Sequence, residues 1–199
     1  MRQHFLLTGL LALVLSCGTK EPQSGENGQA ATDSTLTDTA SVAKEPTMNI
    51  EEAITEKQYL MVMSDSAATP AEIGTKLGTI FGKIGECASK CKMENSGPPV
   101  AWYNGPNAPW KFAAGMPFKT KCEHPEDGIS NREIAGGKAV VVHFFGPYEM
   151  SGKAYEAAEN YMKEKNLTPA ENPYEVYIGD PMVEKDPYKV QTDIVFPIK

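Results

Sequence analysis

A basic stripe is missing from this chain. Lysine and arginine number 19 against 26 aspartates and glutamates, a formal net charge of −7. Without clustered positive charge there is no electrostatic footprint for a phosphate backbone, so no nucleic-acid partner is expected. Histidine is scarce, at three residues. No zinc-type His/Cys set, phosphate-binding glycine loop or Ser–His–Asp order is visible, so no metal and no cofactor are expected. A long apolar run is also absent. The stretch FLLTGLLALVL at residues 5–15 falls short of the roughly 20 residues that a spanning helix needs.

That short run has an address written around it. Arg2 precedes it, and Ser16 and Cys17 follow, the layout of a secretory signal rather than a membrane span. The sequence VLSC resembles the bacterial lipobox, in which cleavage leaves the cysteine as a lipidated N-terminus. The expectation is a signal peptide over 1–16, lipidation at Cys17, and a tether over 17–46. The tether is mostly Gly, Ser, Thr, Gln, Asp, Glu and Ala, too poor in large apolar side chains to offset its ordering entropy. Membrane contact through the lipid, at the cell envelope, follows from this reading. Gly18 in place of an aspartate favours the outer membrane where there is one. Cys87, Cys91 and Cys122 are left over, an odd number. Cys87 and Cys91 lie four apart on a predicted helix, and either one bonding Cys122 stands beside three reduced thiols as an alternative.

The folded part, expected over 47–199, contains a repeat. TPAEIGTKLGTIFGKIGECASKCK (69–92) reads as a helix capped at Thr69, opened by Pro70 and boxed by Glu72, with an apolar face of Ile73, Leu77, Ile80, Phe81 and Ile84. Glycines at 74, 78, 82 and 85 suggest close packing on a sheet. GPYEMSGKAYEAAENYMKEKN (146–166) reads as a second helix, with Pro147 and Glu149 matching Pro70 and Glu72 at one constant offset. Strand-like runs at 56–64 and 138–145 enter the two helices. The runs PPVAWYNGP (98–106) and NPYEVYIGDP (172–181) leave them. Pro99, Tyr103 and Gly105 of the first run match Pro173, Tyr177 and Gly179 of the second, again at a single offset. Closing strands at 111–118 and 190–198 complete two strand–helix–strand–strand units, which cover a shared sheet best side by side with both helices on one face.

These segments, from TPAEIGTKLGTIF through GMPF and GPYEMSGKAYEAAENYMKEKNL to TDIVFPI, together resemble the gyrase-inhibitor-like small-molecule-binding domain. The same module serves as the effector-binding domain of AraC- and MerR-type multidrug regulators. The resemblance implies an α+β fold of tandem pseudo-twofold βαββ repeats. They form a concave antiparallel sheet with the two main helices behind it and a ligand cleft between the repeats. The chain departs from the family at HFFGPY, where His143 stands three rather than two residues before the glycine and is given no role.

Strand alternation places Glu175 and Tyr177 on one face and Tyr174, Val176 and Ile178 on the other. The apolar set is expected against the helices. Glu175, Tyr177 and Tyr103 would then line a cleft on the opposite surface, with Trp102 at its rim or in the core. In the family a glutamate of this strand and a tyrosine of its partner contact ligand, and they map onto Glu175 and Tyr103. A carboxylate among aromatic faces suits a small hydrophobic, aromatic or cationic molecule. The expected function is ligand binding at the envelope. The alternatives are a hydrolase using Glu175 with Tyr103 or another cleft tyrosine, as some members of the fold resemble, and a protein-interaction domain.

Overall fold

The computed structural model describes residues 44–105 and 107–199. The expected signal peptide, Cys17 and the tether up to residue 43 lie outside the described residues. Among those described, the elements run β1 (Thr47–Thr55), β2 (Gln58–Ala67), α1 (Pro70–Lys90), β3 (Val100–Asn104), β4 (Trp110–Phe118), β5 (Ser130–Ile134), β6 (Gly137–Phe145), α2 (Gly152–Glu164), β7 (Tyr174–Tyr177) and β8 (Gln191–Pro197). No described helix is long and apolar enough to cross a membrane.

The two helices start differently. Pro70 opens α1 at once, and Glu72 reaches back to accept from the Ala68 amide at 3.1 Å, while the Thr69 hydroxyl donates to the same carboxylate. The expected capping box is replaced by this variant, in which Glu72 takes the amide one residue before the cap and Thr69 bonds the carboxylate instead of the backbone. Pro147 instead leads into a 3-10 turn, Tyr148–Met150, and α2 proper begins at Gly152. Ser151 and Gly152 are weak helix formers, so the helix does not run through from Pro147 as the repeat suggested. Asn166, at φ 56°, ends α2 in the left-handed conformation.

All strands pair antiparallel in one eight-stranded sheet of order β1-β6-β8-β7-β3-β4-β2-β5. The halves β2-β4-β3 and β6-β8-β7 mirror each other across the β3/β7 seam, so the fold is the expected tandem βαββ α+β sheet. Strands β1 and β5 were not anticipated. Both are edges: β1 carries Glu51 and Glu52, and β5 is the short polar SNREI. Such sequences blunt a sheet edge and give little hydrophobic signal.

Residues 56–57 join β1 to β2, and 135–136 join β5 to β6, although the joined strands sit near opposite ends of the sheet. Such short links force the sheet to curl. Where the two links meet, Gly136 (φ +76°) packs so tightly that a Cβ would lie 2.8 Å from backbone atoms of Thr55, Glu56 and Lys57. Only glycine fits there.

The register decides which side chains share a face. Ile194 lies opposite Glu175, and Glu175 lies opposite Ala101. Ile194 packs with Ala154, Ala158 and Met162 of α2, and Ala101 packs with Ile80, Ile84 and Cys87 of α1. Both helices therefore cover the face that carries Glu175. This corrects the sequence reading, which set Tyr174 and Val176 under the helices. Those two lie on the helix-free side instead, in a cluster with Leu60, Val100, Trp102, Val141 and Val195. Because the sheet curls, that side buries apolar surface without a helix. The α1 glycines are a second correction. A Cβ at Gly74, Gly78, Gly82 or Gly85 would meet nothing within 4 Å, so they border open space rather than close packing.

Gly115 of β4 is the reverse case, since a Cβ there would stand 2.6 Å from the Met61 carbonyl oxygen and 2.5 Å from Val62 Cγ1. Gly115→Ala is expected to destabilise the domain by about 2 kcal/mol, from forced backbone displacement in the β2/β4 pair. A denaturant melt indistinguishable from wild type would refute this packing.

Candidate functional site

Helix α1 lies mainly over β2 and β4 and helix α2 over β6 and β8, so the β3/β7 seam runs along the margin of both. Ala101 and Glu175 are partners across that seam. They are also equivalent positions of the two repeats, related by the same offset as Tyr103 and Tyr177. The pseudo-twofold axis therefore passes between them. One equivalent is a methyl group and the other a carboxylate.

Glu175 is 1% exposed. The Tyr155 hydroxyl donates to its Oε1 at 3.0 Å, and the Tyr177 hydroxyl donates to Oε2 at 3.0 Å. Tyr148 adds a third hydroxyl. The Tyr103 and Tyr177 hydroxyls, which occupy equivalent repeat positions, are bonded to each other at 2.9 Å. Aromatic edges hold the rings in place. Phe81 of α1 meets Tyr177 in a T-shape at 6.4 Å, Phe112 lies 5.9 Å from Tyr103, and Phe196 lies 5.7 Å from Tyr155. Four tyrosines thus surround one acid.

Burial dominates the electrostatics. It pushes the Glu175 carboxyl up to about 7, against the opposing pull of the hydroxyls of Tyr177, Tyr155 and Tyr148. Burial and the nearby Glu175 also raise Tyr103, to about 12, and raise Tyr148, Tyr155 and Tyr177. The tyrosines stay protonated donors throughout the neutral range, and the carboxyl alone titrates near it. The site can therefore present either a neutral acid or a single negative charge.

Of the residues singled out from sequence, Tyr103, Glu175 and Tyr177 come together here, on the helix side of the sheet. Trp102 does not join them. It points into the helix-free side, stacked under the Arg132 guanidinium at 3.6 Å and beside Tyr174 at 5.7 Å. Alternation requires this, because Trp102 neighbours Tyr103 on one strand. Tyr148 and Tyr155 were missed. Their equivalents in the first repeat, by the offset that relates Pro147 to Pro70, are Ala71 and Gly78. The residues that the repeats share therefore give no sign of either tyrosine. His143 lies on the helix-free side, held by Asp193 at 2.9 Å and Glu51 at 3.3 Å.

Comparison with known proteins agrees with the fold. The family described as a GyrI-like small molecule binding domain matches residues 54–199. No curated protein matches. Among solved structures, the EcmrR C-terminal domain superposes with a TM-score of 0.64 at 15% identity, covering 77% of this chain and 98% of that one. EcmrR in its complex with DNA gives 0.63 at 16% identity; 77% of this chain is covered, but the chain spans only 57% of that protein. A hydrolase from Listeria innocua gives 0.56 at 11% identity, covering 75% of this chain and 91% of that one.

The raised Glu175 pKa fixes the sign of a stability effect. The folded state holds the proton up to about pH 7, whereas the unfolded carboxyl releases it near 4.5. The contribution is fully present below pH 4.5 and is lost as pH rises through 7, to a total of about 3 kcal/mol. Unfolding free energies compared between pH 4.5 and 8 should show this loss in wild type and not in Glu175→Gln. Parallel pH profiles for the two proteins would overturn the assignment.

Proposed function

The chain belongs to the GyrI-like small-molecule-binding family, and we propose that the Glu175 site binds a small aromatic or apolar cation. The observation that carries this reading is one buried carboxylate whose contacting hydrogen-bond donors, among the described residues, are all tyrosine hydroxyls. A bound cation would hold the carboxylate ionised while the ring faces attract its charge. Tyrosines supply large contact area and polar tips at little entropic cost.

Open space borders α1 on the side of Phe81. On a helical wheel of about 100° per residue, Gly74, Gly78 and Gly85 flank Phe81, the α1 residue that touches Tyr177. The seam is therefore bordered by tyrosines on the α2 side and by bare backbone on the α1 side. Tyr148 is 41% exposed and sits on the one-turn helix before α2. Displacing its ring would remove one of the hydroxyls bonded to the carboxylate and uncover that flank of the site.

A second reading has its own support. A carboxyl near pH 7 beside tyrosine hydroxyls is suited to general acid–base chemistry on a strained electrophile. Turnover lost in Glu175→Gln would favour it over binding alone.

The envelope location belongs to the same proposal. It rests on the VLSC sequence and the polar segment after it. Cys17→Ser is expected to release the protein from membranes into the soluble fraction, and unchanged membrane retention would sink the anchor.

Ligand binding is tested by isothermal titration of the full chain with tetraphenylphosphonium and a neutral aromatic of similar size. The cation should bind more tightly, and its affinity should fall about tenfold per pH unit below pH 7 as the carboxyl protonates. Glu175→Gln should weaken it at least tenfold. Gly78→Leu fills the open flank, so it should weaken binding while leaving stability equal or up to about 1 kcal/mol higher. Equal affinity for the neutral compound, or a Gly78→Leu protein that binds as wild type does, would count against this site.

A further inference from the structure

Three thiols converge at the C-terminal end of α1, in a part of the domain that the ligand reading does not use. Cys87 lies in the last turn of the helix, Cys91 caps it, and Cys122 follows β4. Their sulfurs lie within 4.8 Å of one another, and no imidazole or carboxylate among the described residues joins the group. Cys91 and Cys122 are closest, at 3.0 Å. Asn131 of β5 clamps the Cys122 backbone on both sides, accepting from its amide at 3.1 Å and donating to its carbonyl at 2.7 Å. Cys87 and Cys122 are buried, and Cys91 is half-buried.

Two chemistries use such a cluster, a soft metal ion or a disulfide. Three thiolates around a monovalent or divalent ion leave net negative charge in a buried place. That place is also a helix C-terminus, where the aligned peptide dipoles already place partial negative charge. A disulfide is neutral, and it needs the 3.0 Å pair to close by only about 1 Å. We propose that Cys91 and Cys122 form a cross-link by exchange with a disulfide-bearing oxidant, with Cys87 retained as a thiol beside it.

The half-buried Cys91 is the entry point by access. Its hydrogen bond with Cys122 pushes its thiol up to about 12, so exchange runs through a small thiolate fraction and quickens at alkaline pH. Its thiolate attacks one sulfur of the oxidant RSSR, forming a Cys91–SR mixed disulfide and expelling RS⁻. The Cys122 thiolate then attacks the Cys91 sulfur and expels the second RS⁻. The two protons lost by the cysteines end on the two RSH products, and the protein is oxidised by two electrons. The product ties the end of α1 to the segment that leads into β5, closing a loop between positions 31 residues apart. Cys87 stays adjacent to the new bond, placed to attack it and reopen it.

The test treats the full chain with excess glutathione disulfide, quenches by alkylation and maps peptides by mass spectrometry. Wild type should give a linked Cys91–Cys122 peptide and an alkylated Cys87. Cys87→Ser should still link, whereas Cys122→Ser should stop at the Cys91–glutathione mixed disulfide. The linked form should melt higher by on the order of 10 °C and return to the original value on reduction. Three alkylated cysteines after oxidation, a link made through Cys87, or a wild type arrested at the mixed disulfide would each overturn the proposal. So would protection of all three thiols by stoichiometric Cu(I) or Zn(II) without a link.

Discussion

The structure depends on a short length of backbone pairing. Strands β3 and β7 meet through only two register pairs, Val100 with Val176 and Ala101 with Glu175, extended by the Tyr177 amide donating to the Pro99 carbonyl at 2.9 Å. This seam turns two half-sheets into one. Each helix lies mainly over its own half, so the seam is the margin where the two covers meet. Side chains on the seam must then satisfy themselves. Glu175 and Tyr177 do so through hydroxyls gathered from both repeats and from the turn before α2. Pairing, cover and site chemistry are consequences of one junction.

The site also shows how a buried acid is made tolerable without a countercharge. Removing a carboxylate from water is costly, and an ion pair often fails to compensate fully. Here no lysine or arginine among the described residues contacts Glu175. Phenolic donors lower the cost of the ionised form, yet burial still outweighs them and raises the pKa toward neutrality. The carboxylate is therefore held in reserve. It is poised between two protonation states and is hydrogen-bonded in place.

Much of this was legible in the sequence, and the failures have physical causes. Proline, glutamate, tyrosine and glycine recurring at constant offsets exposed the duplication and six of the eight strands, because those residues fix helix starts and strand ends. The edge strands β1 and β5 escaped because edges are polar by necessity. Alternation along Tyr174, Glu175, Val176 and Tyr177 separated two faces correctly but set the wrong one under the helices. The usual rule is that the more apolar face meets the helices. It fails in a curled sheet, where the helix-free face also buries an apolar cluster of its own. Tyr148 and Tyr155 carry no repeat signal for a different reason: their equivalents in the first repeat are Ala71 and Gly78, so the two copies differ there.

The placement of Ala101 and Glu175 on the pseudo-twofold axis bears on how such a site arises. In a symmetric pair of separate chains, a substitution on the axis appears twice, and two carboxylates would face each other at contact distance. Fusing the copies into one polypeptide removes that constraint. One half can acquire an acid while the other keeps a methyl group, and bulky tyrosines can gather on one flank while glycines remain on the other. Covalent duplication thus converts a palindromic surface into a handed one. A ligand held there has one allowed orientation instead of two, and each half can go on diverging without its twin.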